Sequence, residues 1–139
     1  MRVEPYLMFA GRCDEALAFF QQAIGAQPVM VMRFRESPES PPMPLPPGWD
    51  DKVMHCGFRV GDTLVMASDG MSTEVPSYAG VTLSLTADNE AQARQRFAAL
   101  AEGGSVFMPM GPTFWSACFG MCTDRFGVQW MVGIDDATA

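Results

Sequence analysis

Positive charge is scarce in this chain. Nine Lys and Arg stand against sixteen Asp and Glu, a formal net charge of −7, and the basic residues are scattered along the sequence. Nucleic acid and anionic membrane surfaces are held by basic patches, so neither is expected as a partner. Histidine is confined to His55, and a single imidazole does not make a metal centre. No apolar run approaches the roughly 18–20 residues that span a bilayer. Cysteine is limited to Cys13, Cys56, Cys118 and Cys122, too few for a disulfide scaffold at this length. Cys118 and Cys122 sit four apart on an expected strand. That separates them by about 13 Å, beyond the roughly 7 Å a disulfide bridges. All four read as reduced, mostly buried thiols, and the chain reads as cytoplasmic. The N-terminal Met-Arg-Val-Glu-Pro-Tyr runs straight into a strand pattern, so no signal peptide is expected. No P-loop, Gly-rich dinucleotide fingerprint, Ser-His-Asp order or catalytic carboxylate pair is visible, and no cofactor is implied.

What is present is a soluble-globule composition, 48% hydrophobic and 18% charged, in 139 residues. That length suits one domain, or two small halves sharing one core. Val3–Ala10 reads as a strand. A helix follows over Glu15–Ile24, capped near Cys13 or Asp14, with Ala16, Phe19, Phe20, Ala23 and Ile24 on one stripe and Gly25 as its C-terminal stop. Gln27–Phe34 is a strand. Segment 35–51 holds Pro38, Pro41, Pro42, Pro44, Pro46 and Pro47. Proline forbids helix and central strand there, and so long a loop reads either as a floppy insertion or as a flap over a pocket, with Met43, Leu45 and Trp49 as its apolar face. Lys52–Val60 and Thr63–Asp69 form a hairpin over Gly61-Asp62. Alternation places His55, Gly57 and Arg59 on one face and Met54, Cys56, Phe58 and Val60 on the other. Gly70–Ser77 links to a second half.

There the order recurs: strand Val81–Thr86, a cap at Ala87–Asn89, helix Glu90–Glu102, then strands Val106–Met110, Thr113–Thr123 and Val128–Ile134. Trp115, Ala117, Phe119 and Met121 share one face of the long strand. Asp135–Ala139 is expected to fray. Asp14-Glu15-Ala16 and Asn89-Glu90-Ala91 open matching helices, the second about a turn longer. The expected class is α+β, two tandem βαβββ modules (3–69 and 79–134) forming a curved half-barrel sheet with helices on the convex face, within one domain spanning 1–139.

Thr113-Phe-Trp, Phe119-Gly and Thr123-Asp-x-Phe-Gly-Val-x-Trp-Met resemble the C-terminal signature of PhnB-like proteins. These form a branch of the glyoxalase/bleomycin-resistance/dioxygenase (vicinal oxygen chelate) superfamily. Pro5-Tyr6-Leu7, Phe9-Ala10-Gly11, the Phe19-Phe20 pair and Met66-Ala-Ser-Asp69 extend the resemblance over nearly the whole chain. It implies a glyoxalase-like fold, and homodimers are common in the superfamily. Metal-dependent members hold a divalent ion with His and Glu from the first and last strands of each half. Matched here, those positions fall at Pro5, Met66, within Gly80–Thr82, and at Met131; a slip of one residue would bring in Glu4. None of the four matched positions carries a ligand for a hard or borderline ion, so no metal is expected. Some PhnB-like relatives carry a His where this chain has Ala117. PhnB-like chains are often linked to phosphonate metabolism or labelled demethylubiquinone methyltransferase-like, but no S-adenosylmethionine motif is visible.

The expected function is therefore binding of a small apolar or aromatic molecule in a metal-free cleft. The alternative is a lyase-, isomerase- or dioxygenase-type enzyme of the same superfamily. Candidate ligand-binding residues are His55, Arg59, Ser68, Asp69, Thr113, Trp115, Phe119 and Gln129. Trp115 and Phe119 would stack on a planar ligand, and Arg59 or His55 would orient an acid or carbonyl. Asp69 and Asp124 also read as plain turn residues at strand ends.

Overall fold

Two four-stranded sheets of the same internal order organise the chain in a computed structural model that describes residues 1–135. The first unit, Met1–Pro76, contains β1 (Tyr6–Met8), α1 (Cys13–Ile24), β2 (Gln27–Arg33), β3 (Val53–Val60) and β4 (Thr63–Ser68). The second begins at Ser77 and contains β5 (Leu83–Ala87), α2 (Glu90–Ala101), β6 (Ser105–Gly111), β7 (Phe119–Thr123) and β8 (Gln129–Ile134). The sheet orders are β1-β4-β3-β2 and β5-β8-β7-β6. In each sheet the outer strand that precedes the helix pairs parallel with the last strand, and the other pairs are antiparallel. Both units are thus βαβββ. Of the segment expected to fray, residues 136–139 lie outside the described residues.

In the first unit, period-two alternation sends Cys56 and Phe58 of β3 and Val65 and Ala67 of β4 into the core. The stripe on α1 supplies Ala16, Phe20 and Ala23. The Phe20 and Phe58 rings stack at 5.8 Å between centroids. Burying aromatic side chains of this size contributes roughly 1.5–3 kcal/mol each. The Cys13 and Cys56 sulfurs lie 3.6 Å apart in the same core, and all four cysteines are buried and free. Gly25, with φ of 68°, closes α1.

Helix α1 begins two residues earlier than its periodicity suggests and matches α2 at 12 residues. Its first turn has no local side-chain cap. The Asp69 carboxylate caps it from the end of β4 instead: Oδ1 accepts the Gly11 and Cys13 N–H groups, both at 2.8 Å. Oδ2 accepts the Val53 N–H at 2.8 Å, tying the start of β3 to the same point. Asp14, expected near the cap, makes a bidentate pair with Arg33 at 2.8 and 2.9 Å. That bond holds the Asp14 carboxyl below its ordinary range. α2 is capped locally, Asn89 accepting the Gln92 N–H and Gln92 accepting the Asp88 N–H, both at 2.8 Å.

In the second unit Ala93, Phe97 and Leu100 of α2 are buried, as are Cys122, Trp130 and Val132 of the sheet. The strand expected over Thr113–Thr123 begins only at Phe119. Thr113 is responsible, because its hydroxyl accepts the Ser116 N–H at 3.0 Å and its own N–H donates to the Ser116 carbonyl at 2.8 Å. A local side-chain bond of this kind competes with the strand ladder. Asp124 organises the β7–β8 turn. Its Oδ1 accepts the Phe126 and Val128 N–H groups at 2.9 and 3.0 Å, and Oδ2 accepts the Trp130 indole N–H at 2.9 Å. Burial pushes this carboxyl above its ordinary range, and those three bonds pull against it.

Candidate functional site

A cavity of about 270 Å³ lies in the first unit, on the sheet face away from α1. Its floor combines Met8 of β1, Ser68 at the end of β4 and Met54 of β3. Strict alternation would put Met54 with Cys56 and Phe58. The β2–β3 register instead steps from Met32↔His55 to Arg33↔Val53, skipping Met54, and this bulge lets it line the cavity. A bulge re-aims a side chain in this way. Phe34 and Met71 form walls, and segment 37–42 forms the roof with Glu39, Pro41 and Pro42.

Residues 37–42 of the Pro-rich loop thus reach the cavity, while Met43, Leu45 and Trp49 do not line it. Met43 is about half exposed and Leu45 half-buried. Trp49 is buried and its indole N–H donates to the Gly70 carbonyl at 2.7 Å, which anchors the loop base beside the end of β4. Further ties hold the loop's ends. Arg33 Nη1 donates to the Asp51 carbonyl at 2.8 Å, Arg35 Nε reaches the Asp51 carboxylate at 2.6 Å, and Lys52 Nζ reaches the Gly11 carbonyl at 2.9 Å.

The eight candidate residues do not converge on this cavity. Ser68 lines it, with its hydroxyl accepting the Gly70 N–H at 2.8 Å and donating to the Val53 carbonyl at 3.4 Å. Asp69 lies next to it but is fully buried, all three of its bonds going to backbone. His55 is on the same sheet face, its Nδ1 2.9 Å from the Tyr6 hydroxyl, and does not line the cavity. Burial pushes the Tyr6 phenol up. Arg59 is exposed near the Gly61-Asp62 turn, five residues along β3 from Met54, or about 16 Å.

The other four candidates belong to the second unit. Trp115 is 47% exposed and meets Phe119 edge-on at 5.3 Å and Phe114 at 4.7 Å. Gln129 accepts from the Thr82 hydroxyl at 3.4 Å and lines a depression of about 350 Å³ with Phe107 and Met121. Thr113 is engaged in its turn with Ser116. Sequence reasoning passed over Met8, Phe34, Glu39, Met54 and Met71. Of these, only Glu39 lies in the Pro-rich segment; Met8, Phe34, Met54 and Met71 lie outside it and carry no local signal.

Tyr6 pairs with Met66 and Ser84 with Met131, so Pro5 and Met66 project to opposite sheet faces. Pro5, Met66 and Met131 offer no imidazole or carboxylate, the donors that suit a divalent ion. Glu4, the neighbour of Pro5, lies 3.4 Å from Arg2. Among the described residues, no three His, Cys, Asp or Glu side chains gather where they could hold one. No helix among them is long and apolar enough to cross a membrane.

The fold is α+β and glyoxalase-like, shared with a solved glyoxylase/bleomycin resistance protein/dioxygenase domain from Frankia sp. EAN1pec at a TM-score of 0.65 and 11% identity over 98% of each chain. Within that class, residues 1–133 match the model of the family described as 3-demethylubiquinone-9 3-methyltransferase, and the chain belongs to that family. It is similar to protein YjdN of Escherichia coli K12, 35% identical over 96% of this chain and 95% of that protein. A solved structure, protein PA1353 from Pseudomonas aeruginosa, is 45% identical with a TM-score of 0.84, covering 97% of this chain and 98% of that one. The PhnB protein from Bacillus cereus is 25% identical with a TM-score of 0.80, covering 97% and 100%.

Proposed function

We propose that this chain binds a small apolar or aromatic molecule, without a metal ion, in the cavity of its first unit beneath the Pro-rich loop. The supporting observation is the cavity itself: thioethers, prolines and a phenyl ring around about 270 Å³, with Ser68 on the floor and Ser37, Glu39 and Ser40 in the loop. Ligand sites are concave and mostly apolar, with a few polar groups that fix orientation. The donor set discussed above supports the metal-free part of the reading. A lyase-, isomerase- or dioxygenase-type activity has only the shared fold behind it, and fold alone does not assign chemistry.

The test is a thermal-shift and intrinsic-fluorescence titration with a neutral bicyclic probe, 1-naphthalenemethanol. The expected result is saturable binding that is lost in Met71→Trp, which fills the cavity from its wall. Absence of binding to the wild-type protein, or undiminished binding to the filled variant, overturns the reading.

A homodimer belongs to the same proposal. Phe107, Phe114 and Trp115 are 78%, 98% and 47% exposed. Large exposed aromatics of this kind favour a covering partner. Light scattering at micromolar concentration should give twice the chain mass, and a single chain mass would refute the pairing.

A further inference from the structure

The cavity's charge pattern carries a narrower conclusion, which rests on the binding reading above. Glu39 is the only charged side chain among the residues lining it. The nearby cations of the loop are already committed, Arg33 to Asp14 and Arg35 to Asp51. No ion pair or side-chain hydrogen bond reaches the Glu39 carboxylate among the described residues. Its backbone is nevertheless held: the Glu39 N–H donates to the Ser37 hydroxyl at 3.3 Å, and that hydroxyl lies 3.0 Å from the Glu39 carbonyl. The loop therefore brings one charged residue, an exposed glutamate committed to no ion pair, to the edge of a mostly apolar cavity. His55 and Arg59, the groups that would favour an acid, do not line the cavity.

We infer that the site selects an apolar organic cation, a hydrophobic or aromatic body bearing one amine, and discriminates against carboxylates of the same shape. The body occupies the Met8, Phe34 and Met54 surface, and the ammonium approaches the Glu39 carboxylate from the open side. The net charge of −7 acts in the same direction at longer range. Because Glu39 is exposed, the head-group contact is a solvent-screened ion pair. Such pairs are worth up to about 1 kcal/mol, or roughly fivefold in affinity.

The experiment compares three probes of one shape by calorimetric titration at low salt: 1-naphthylmethylamine, 1-naphthalenemethanol and 1-naphthoic acid. The expected order is amine tightest and acid weakest, with the amine roughly fivefold better than the alcohol. Glu39→Gln should bring the amine down to the level of the alcohol and tighten the acid. High salt should erase the amine's advantage in the wild-type protein. Binding of all three probes with equal affinity, or an amine preference that survives Glu39→Gln, overturns the inference while leaving the binding reading intact. Failure of all three probes overturns both.

Discussion

Asp69→Ala should lower the unfolding free energy by roughly 3–6 kcal/mol, the largest effect expected of any single side-chain truncation in this chain. The carboxylate is fully buried and is the acceptor for three backbone N–H groups, those of Gly11, Cys13 and Val53. Each buried donor left without an acceptor costs about 1–3 kcal/mol. Truncation strands all three at once, removes the cap of α1 and frees the start of β3. Asp69→Asn should fall between wild type and Ala, because its amide keeps one oxygen and turns a donor toward the other site. Urea denaturation with a shared slope is the appropriate measurement. An Ala variant within about 0.5 kcal/mol of wild type would show that Asp69 is not structural, and would restore it as a ligand-binding candidate.

Gly104→Ala should be nearly as damaging, by roughly 3 kcal/mol or more. A Cβ built at Gly104 overlaps the Thr123 carbonyl oxygen and lies 2.8 Å from the Asp124 carbonyl carbon. These are backbone atoms at the end of β7, so no side-chain rotation relieves the clash. The chain must move instead, and forcing extra atoms into a packed site costs about 1–3 kcal/mol even where side chains yield. The same movement disturbs Asp124, whose bonds to Phe126, Val128 and Trp130 hold the β7–β8 turn. Denaturant unfolding followed by intrinsic tryptophan fluorescence should show an earlier midpoint. If the Ala variant unfolds with wild-type stability, the close approach of the two segments is not as described.

The contrast between the two aspartates shows how far a local reading reaches. Asp124 serves residues two to six positions ahead, so the turn around it was visible in Asp124-Arg125-Phe126-Gly127 itself. Asp69 serves Cys13, 56 residues back, and Val53, 16 residues back. In sequence it looked like one more strand-end turn residue. The same limit made α1 look shorter than it is, since its cap comes from another strand.

Periodicity did establish the duplicated βαβββ order, the buried stripe of α2 and that of α1 apart from the half-buried Phe19, the Gly61-Asp62 hairpin and the stop at Gly25. Each depends on neighbours one to eight residues apart, and residue type encodes those directly through side-chain direction and turn preference. The cavity was decided only by tertiary structure. A register slip at Met54, a roof fastened by Arg33, Arg35 and Trp49, and the separation of Ser68 from Arg59 along the sheet all depend on distant pairings. Those pairings form only once the sheets fix which strands lie side by side, and no local pattern specifies them.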